Sequence, residues 1–240
     1  MAVIPYKEST DSKKVQVEAM FDNISGKYDF LNHFLSFSLD KYWRRSAIEL
    51  LKGDRPEMLL DVATGTGDMV KAALRLAPSK ITGIDLSEGM LQVARKKKFP
   101  PSKNTLIEFV KGDSEDLPFP DQSYDAVTVA FGVRNFENPV KGLSEMLRVL
   151  RPGGKLVVLE FSKPVVFPFA QIYRFYFRYI LPFFGKMLSK DKSAYSYLPE
   201  SVSLFPEGNR FVDLLDEAGY RECHFRPLTF GVVTLYTGIK

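Results

Sequence analysis

The stretch 58–68, MLLDVATGTGD, constrains the fold of this chain more than any other. Three apolar residues lead into Asp61, two glycines then alternate with small residues, and a helical pattern resumes at Met69. A short apolar run ending in glycines is typical of a buried parallel strand that turns tightly into a helix. Glycine lets a ligand approach the backbone without meeting a Cβ atom. The stretch therefore predicts an α/β fold with a ligand at the turn.

Two carboxylates at this turn discriminate between ligands. A dinucleotide-binding turn needs a third glycine, and that position holds Val70. Asp61 and Asp68 flank the space that a phosphate would occupy, and they would repel an anion. A ligand with an ammonium and a sulfonium group and no phosphate, such as S-adenosylmethionine, fits this charge pattern. The alternatives are a tight turn without a ligand and, disfavoured by Val70, a dinucleotide-dependent oxidoreductase.

Two further acids follow the next two predicted strands. Asp85 ends the strand 81–85, at about the 20-residue offset from the glycine turn expected of an acid that binds ribose hydroxyls. Asp113 follows the apolar run 107–110, where an ordinary turn acid is the alternative interpretation. Ligands of open parallel sheets bind outside the carboxyl ends of the strands. The three acids are therefore expected at one edge of the sheet.

Composition limits the class of protein. A chain of 240 residues with 45% hydrophobic content can bury the core of one domain, and a net charge of +4 does not indicate a nucleic-acid partner. The single cysteine, Cys223, excludes an internal disulfide and suits a reducing cytoplasm. The sequence shows neither a signal-peptide pattern nor a long uncharged apolar run, so a cytoplasmic protein is expected. The 20 Phe and 11 Tyr cluster in 28–43 and 161–184, which suggests an apolar lid or pocket wall.

The pattern along the chain predicts one domain with four parts. Residues 1–52 would form a helical cover whose helices break near 36–38, and 53–162 a strand–helix core with strands Met58–Val62, 81–85, 107–110, 126–130 and 156–160. A helix from 143 is predicted to end at Pro152, with Arg151 in its last turn. Residues 163–206 form an aromatic insert, read either as a gate for an apolar substrate or as a helix packed on the sheet. Residues 207–240 supply a helix and an antiparallel pair of strands.

Several blocks carry a resemblance to a known family. The chain is similar to the class I S-adenosylmethionine-dependent methyltransferases and, within them, resembles the ubiquinone/menaquinone-biosynthesis C-methyltransferase family. The blocks are YDFLNHFLSFSLDKYW at 28–43, FGVRN at 131–135, RVLRPGG at 148–154, EFSKP at 160–164 and SAYSYLPES at 193–201. The resemblance runs from about residue 21 to the C-terminus. The chain departs from the family pattern at Ser38 and Asp40, where members usually have Gly and His, and at Ala130, where some have a cofactor-contacting serine.

The resemblance implies a fold and a reaction. The fold is a Rossmann-like, seven-stranded, mostly parallel sheet with an antiparallel C-terminal strand. The reaction is transfer of a methyl group from S-adenosylmethionine to a ring carbon of a prenylated quinol, either demethylmenaquinol or its ubiquinone-pathway counterpart. Methylation of another apolar small molecule remains an alternative. A long-tailed substrate implies association with the inner face of the membrane, and a homodimer stays open.

The candidate site residues follow from these patterns. Arg134 and Asn135 are the catalytic candidates, because a guanidinium can stabilise a quinolate oxygen and an amide can hydrogen-bond the ring. An ion pair across the cleft rim is the alternative interpretation of Arg134. His33 is a weaker candidate for a base. The substrate candidates are Tyr28, Asn32, Tyr195 and Tyr197. The cofactor candidates are Asp61, Gly65, Thr66 and Gly67 in the turn, Asp85 for the ribose, and Asp113 and Ser114 for the adenine. No metal ion is expected.

Overall fold

Parallel strands form the centre of the molecule. The computed structural model describes residues 3–99, 105–180 and 192–240, except for the side chains of 192–195. The strands are β1 Met58–Val62, β2 Lys80–Asp85, β3 Leu106–Lys111, β4 Tyr124–Ala130, β5 Leu150–Phe161, β6 Arg221–Leu228 and β7 Val233–Ile239. They form a seven-stranded sheet in the order β3-β2-β1-β4-β5-β7-β6, with β1 to β5 parallel and β7 antiparallel to both neighbours. This topology confirms the predicted fold class.

Helices cover both faces of the sheet. They are α1 Lys13–Ile24, α2 Tyr28–Leu35, α3 Leu39–Glu49, α4 Asp68–Ala73, α5 Glu88–Lys96, α6 Pro139–Val149, α7 Phe169–Phe175, α8 Lys192–Leu204 and α9 Asn209–Glu217. A π-helical turn, Tyr176–Ile180, continues α7. Polar side chains cap several of these helices: Ser12 accepts from the Val15 amide, Ser87 from Met90, and Asn138 from Lys141. Each cap satisfies an amide that the first helical turn leaves unpaired.

The central strands are buried on both faces. One face of β1, β4 and β5 packs against α6 and α9 through residues such as Val129, Leu143 and Phe211. The opposite face packs against α3 and α4, with Leu59, Trp43 and others fully or almost fully enclosed. Because both faces are covered, the open edge for a ligand is the one at the carboxyl ends of β1, β2 and β4. The strand order reverses between β1 and β4, which leaves a crevice at that edge.

Two predicted boundaries in the core were wrong. The helix expected to reach Pro152 ends at Val149, and β5 begins at Leu150 rather than 156. Arg151 therefore lies in a strand, where it pairs with Asp125 at 2.5 Å. The reason is tertiary, because the early part of β5 exchanges backbone hydrogen bonds with Lys240 at the C-terminus. The break predicted near 36–38 is confirmed, since a turn separates α2 from α3.

Candidate active site

A cleft opens at the carboxyl ends of the central strands. Its lining includes six of the residues selected from the sequence: Tyr28, Gly65, Asp85, Asp113, Ser114 and Asn135. Helix α1 lies against the same cleft through Lys14, Val17 and Phe21. The cleft is therefore bounded by the sheet edge on one side and by the N-terminal cover on the other.

Asp85 stands at the end of β2 and faces the cleft. One carboxylate oxygen accepts a hydrogen bond from the Gly65 amide at 2.7 Å, and the other accepts from the Ser87 amide at 2.9 Å. Burial raises the pKa of Asp85 to about 6, despite these stabilising bonds. The carboxylate is ionised at neutral pH and can accept hydrogen bonds from vicinal hydroxyls.

Gly65 provides open space beside this carboxylate. Its φ is +56°, and a Cβ atom built there would meet no heavy atom within 4 Å. Gly67 has a different role, because its Cβ would lie 3.1 Å from the ring of Phe109. The first glycine leaves room for a ligand, whereas the second allows the turn to pack against β3.

Asp113 and Ser114 line the cleft just after β3. The Lys14 ammonium of α1 forms an ion pair with Asp113, and the Glu115 amide donates to the other carboxylate oxygen at 2.9 Å. Lys14 is one of the residues that sequence reasoning missed. A lysine in a polar N-terminal segment carries no pattern that would place it against a strand end.

Asp61 differs from the direct ligand contact expected for it. Its side chain is fully buried behind the cleft and accepts from the Thr64 hydroxyl at 2.6 Å and the Thr128 hydroxyl at 2.7 Å. Burial raises the pKa of Asp61 to about 7. The carboxylate therefore ties the glycine turn to β4 and does not line the cleft.

Thr66 is also directed away from the cleft lining. It is almost fully buried, its hydroxyl donates to Asp29 of α2, and the Lys97 ammonium lies 3.2 Å from the same oxygen. Thr66 therefore connects the glycine turn to the N-terminal cover.

A cluster of charges joins α2 and α3 to this turn. Lys97 pairs with Asp29 and with Asp68, both at 2.7 Å, so the charge of Asp68 is compensated. Asp40 pairs with Arg44 at 2.5 Å, and its carboxylate lies 2.8 Å from His33 Nδ1.

This cluster contains the weaker base candidate. His33, Asp40 and Asp68 place ligand atoms within 4.8 Å of one another, but Arg44 and Lys97 already balance the two carboxylates. His33 belongs to this cluster and is not among the residues that line the cleft.

Arg134 lies in the short turn after β4, beside the cleft. The side chain is 9% exposed, donates to the carbonyl of Phe131 and pairs with Glu160 at 2.9 Å. Its guanidinium carbon lies 5.6 Å from the ring centroid of Phe161. Within the described part of the chain, the buried Nε of Arg134 has no hydrogen-bond partner. A fixed cation with an unused donor can interact with an anion that develops next to it.

Asn135 and Tyr197 stand on the same side of the cleft. The Tyr197 hydroxyl donates to Asn135 Oδ1 at 3.1 Å, and the amide nitrogen of Asn135 lies 3.4 Å from the carbonyl of Phe131. Burial raises the pKa of Tyr197 to about 12, so it stays protonated. Tyr195 belongs to α8, but its side chain falls outside the described residues.

Tyr28 begins α2 and lines the cleft. Burial raises the pKa of its phenol. Asn32, Arg134 and Arg44 lower this pKa in part, and Asp85 raises it further. Asn32, the other substrate candidate of α2, lies one turn after Tyr28.

An aromatic wall extends from Arg134 towards the insert. The rings of Phe131 and Phe161 lie 4.5 Å apart, Phe177 lies 6.5 Å from Phe161, and Tyr173 stacks on Phe177 at 4.1 Å. The single tryptophan, Trp43, contacts Phe131 and Phe161 edge-on. The sequence indicated an aromatic surface but not which rings would face Arg134.

Comparison with known proteins places the chain in a family. The model of the ubiE/COQ5 methyltransferase family matches residues 9–240. Demethylmenaquinone methyltransferase of Bacteroides fragilis is 49% identical over 238 residues, which are 98% of this chain and 96% of that protein. Ubiquinone/menaquinone biosynthesis C-methyltransferase UbiE of Geobacter sulfurreducens is 44% identical and aligns over 95% of this chain and 90% of its own length.

Solved structures support the same fold. A structure of an S-adenosylmethionine-dependent methyltransferase from Thermotoga maritima superposes with a TM-score of 0.65 at 21% identity, covering 92% of this chain and 99% of that one. At this identity the likeness concerns the fold alone. The family match and the near-complete alignments decide the classification: this chain belongs to the ubiE/COQ5 methyltransferase family, whose methyl donor is S-adenosylmethionine.

Proposed function

We propose that this protein transfers a methyl group from S-adenosylmethionine to a ring carbon of demethylmenaquinol and so forms menaquinol. The observation that carries the proposal is Arg134, a buried guanidinium with a vacant Nε, fixed by Glu160 beside the cleft and next to an aromatic wall. The relatives from Bacteroides fragilis and Porphyromonas gingivalis, named as demethylmenaquinone methyltransferases, support the choice of the naphthoquinol ring.

The residues at the strand ends fit the methyl donor. Asp85 would accept the ribose hydroxyls, and Asp113 with Ser114 would meet the adenine. The open space at Gly65 would receive the methionine portion, near the carboxylate of Asp85. When bound, the donor supplies an electrophilic methyl group on a cationic sulfur. In this proposal Asp61 and Thr66 hold the turn in place and do not touch the ligand.

Arg134 would activate the acceptor ring. A phenol resembles tyrosine, with a pKa of about 10, so it is mostly protonated at neutral pH. A guanidinium next to the oxygen stabilises the quinolate, which pushes electron density onto the adjacent ring carbon. Arg134 remains protonated and therefore acts through its charge. Asn135 would bind the ring from the same side, and the aromatic wall would exclude water.

Incubation with a labelled donor tests the proposal. The protein is mixed with demethylmenaquinol or with the demethylated ubiquinone-pathway quinol, and the products are identified by mass spectrometry. We expect label on the naphthoquinol ring. Label on the benzoquinol alone would favour the ubiquinone pathway, the second reaction in the name of the Geobacter relative. Label on neither quinol would refute quinol methylation.

An exposed apolar surface near the insert suggests how a prenylated substrate arrives. Phe37, Phe167, Phe175 and Tyr179 are all more than half exposed, and the Tyr176 hydroxyl ties the insert to the Leu35 carbonyl at 2.6 Å. The exposed cations Arg174 and Arg178 accompany these rings. No helix in the described ranges is long and apolar enough to cross a bilayer. Part of the insert, 181–191, lies outside the described residues.

Peripheral binding to an anionic membrane surface follows from these side chains. This would place the protein on the inner face of the membrane, where its substrate is dissolved. Flotation with anionic vesicles at low salt should carry the protein upward, and Phe175→Asp should reduce the floated fraction severalfold. Leu106→Asp, at an exposed apolar residue of β3 remote from the insert, is the matched control. Equal flotation of the two variants would contradict the assigned surface.

A further inference from the structure

Tyr173 on α7 has a buried hydroxyl without a partner. Its ring stacks on Phe177, and among the described residues no hydrogen-bond partner meets its phenolic oxygen. Buried phenol groups usually find a partner, so each exception needs an explanation. Burial raises the pKa of Tyr173 far above its ordinary value, so the hydroxyl keeps its proton.

The second vacant group of the same region is Arg134 Nε. After burial, the charges of Glu207, Arg134 and Glu160 act on the pKa of Tyr173, in that order. The rings of Phe161 and Phe177 connect the two groups, because Phe161 contacts the Arg134 guanidinium and Phe177 stacks on Tyr173. Two buried polar groups without partners thus lie at the two ends of the contacting rings of Phe161 and Phe177. Aromatic rings flanked by unused polar groups suit a flat aromatic ligand that carries oxygen atoms.

We propose that Tyr173 is a substrate-binding residue whose hydroxyl binds the quinol oxygen remote from the methylated carbon, while Arg134 Nε binds the adjacent one. This assignment rests on the proposed function. An arginine donates only, so it suits the oxygen that loses its proton. A tyrosine hydroxyl donates and accepts, so it can pair with an oxygen that stays protonated. The two residues together would orient the ring and select which carbon faces the donor.

The test compares Tyr173→Phe with Tyr42→Phe. Tyr42 lies on α3 and is 54% exposed, so its hydroxyl is a matched control for the same change. Loss of one hydrogen bond to substrate should lower kcat/KM for the quinol about tenfold, mainly through KM. The KM for S-adenosylmethionine should stay within about twofold. The Tyr42→Phe variant should behave like the parent protein.

A modified substrate separates a contact from a packing effect. In the parent, a quinol whose remote oxygen carries a methyl ether should react about tenfold more slowly than the free quinol. In Tyr173→Phe the ether should cause little further loss, since the hydrogen bond is already absent. Equal losses from the ether in both proteins, or an unchanged kcat/KM in Tyr173→Phe, would overturn the assignment.

Binding without turnover keeps this result distinct from a failure of the proposed reaction. Trp43 is the single tryptophan, and its ring centroid lies 6.3 Å from that of Phe161, so its fluorescence reports on the aromatic wall. In the presence of S-adenosylhomocysteine, quenching by menaquinol should show about tenfold weaker binding to Tyr173→Phe than to the parent. If the parent methylates no quinol, the proposed function fails, and the quenching still decides for or against the role of Tyr173.

Discussion

Asp85 shows how burial and ligand recognition compete at a single residue. Its folded pKa of about 6 lies above the ordinary value of 3.8, so the carboxylate is ionised above pH 6 and becomes protonated as the pH falls through that value. An ionised carboxylate accepts two ribose hydroxyls, whereas the protonated form loses part of this capacity.

The affinity for S-adenosylmethionine should therefore fall on acidification. We expect the affinity of the parent to be about tenfold weaker at pH 5 than at pH 7.5, since about one tenth of Asp85 is then ionised. In Asp85→Asn we expect weaker binding throughout and a much smaller change between these pH values. Isothermal titration at both pH values measures this. A parent affinity independent of pH would exclude Asp85 as the ribose acceptor.

Asp61 should affect stability rather than binding. Its folded pKa of about 7 exceeds the unfolded value, so the folded state binds the proton more tightly. Its contribution to stability is present at low pH and is lost as the pH rises from about 4 through 7. The stability of Asp61→Asn relative to the parent should therefore increase as the pH rises from 4.5 to 8. Urea unfolding at the two pH values measures this difference.

Asp125 provides a control of opposite sign. Although burial opposes it, hydrogen bonds from Met58, Arg151 and Glu57 lower the pKa of Asp125. Its contribution is present above the unfolded pKa and is lost as the pH falls through the folded one. Asp125→Asn should therefore be most destabilising at neutral pH. If both variants showed the same trend, the cause assigned to Asp61 would be incorrect.

Arg134 should act on the rate rather than on donor binding. Arg134→Gln removes the charge next to the developing quinolate, and kcat should fall about 10²- to 10³-fold. Arg134→Lys keeps the charge but loses the planar group held by Glu160, so its kcat should lie between those of the parent and of Arg134→Gln. Affinity for S-adenosylhomocysteine, measured on the same preparations, should remain near that of the parent. If the substitutions weakened donor binding and left kcat unchanged, Arg134 would be a donor-binding residue and its assigned role would be wrong.

At the scale of elements, the turn between α2 and α3 stores backbone strain. Phe37 and Ser38 both have positive φ, 51° and 59°. For a residue with a Cβ atom, the left-handed conformation costs roughly 1–2 kcal/mol. This is more than the entropic cost of ordering a glycine on folding, roughly 0.5–1 kcal/mol. The family usually has glycine at position 38, and glycine avoids that strain.

Ser38→Gly should therefore stabilise the protein, by about 0.5–1 kcal/mol, with activity unchanged. Ser46→Gly is the matched control, because Ser46 lies inside α3 and the same substitution there should destabilise the protein by a similar amount. Chemical unfolding of both variants at one pH measures the two effects. A destabilised Ser38→Gly would show that side-chain contacts of Ser38 outweigh its backbone strain.

Element positions show which information is local. The strands, the glycine turn and the break at 36–38 follow from periodicity and from residues with special conformations, so the sequence predicted them. The start of β5 depends on pairing with the C-terminus, and no local pattern contains that partner. For the same reason both Asp61 and Asp85 were predicted to contact the cofactor. The hydroxyls of Thr64 and Thr128, which occupy the Asp61 carboxylate, are tertiary partners that the local pattern does not reveal.

At the scale of the whole molecule, α1 joins the ends of several strands. Lys14 pairs with Asp113 after β3, Lys13 donates to the carbonyls of Arg134 and Phe136 after β4, and Asp22 accepts from Ser87 and Gly89 after β2. Residues of α1 also line the cleft itself. Most of these contacts are half-exposed ion pairs or single hydrogen bonds, which are weak individually. The cover is therefore expected to open locally at a small fraction of the cost of global unfolding.

Binding of the donor should close this opening, because a ligand held between α1 and the strand ends contacts both. We expect amide hydrogen exchange in α1 to slow at least about tenfold with saturating S-adenosylmethionine, while α9 and β6, on the far side of the sheet, change little. Addition of salt should speed exchange in ligand-free α1, because the Lys14 and Glu18 ion pairs are partly exposed. Asp85→Asn, which should bind the donor weakly, serves as the control and should show little protection. Protection confined to the strand ends, with α1 unchanged, would mean that the cover stays fixed and the donor enters by another route.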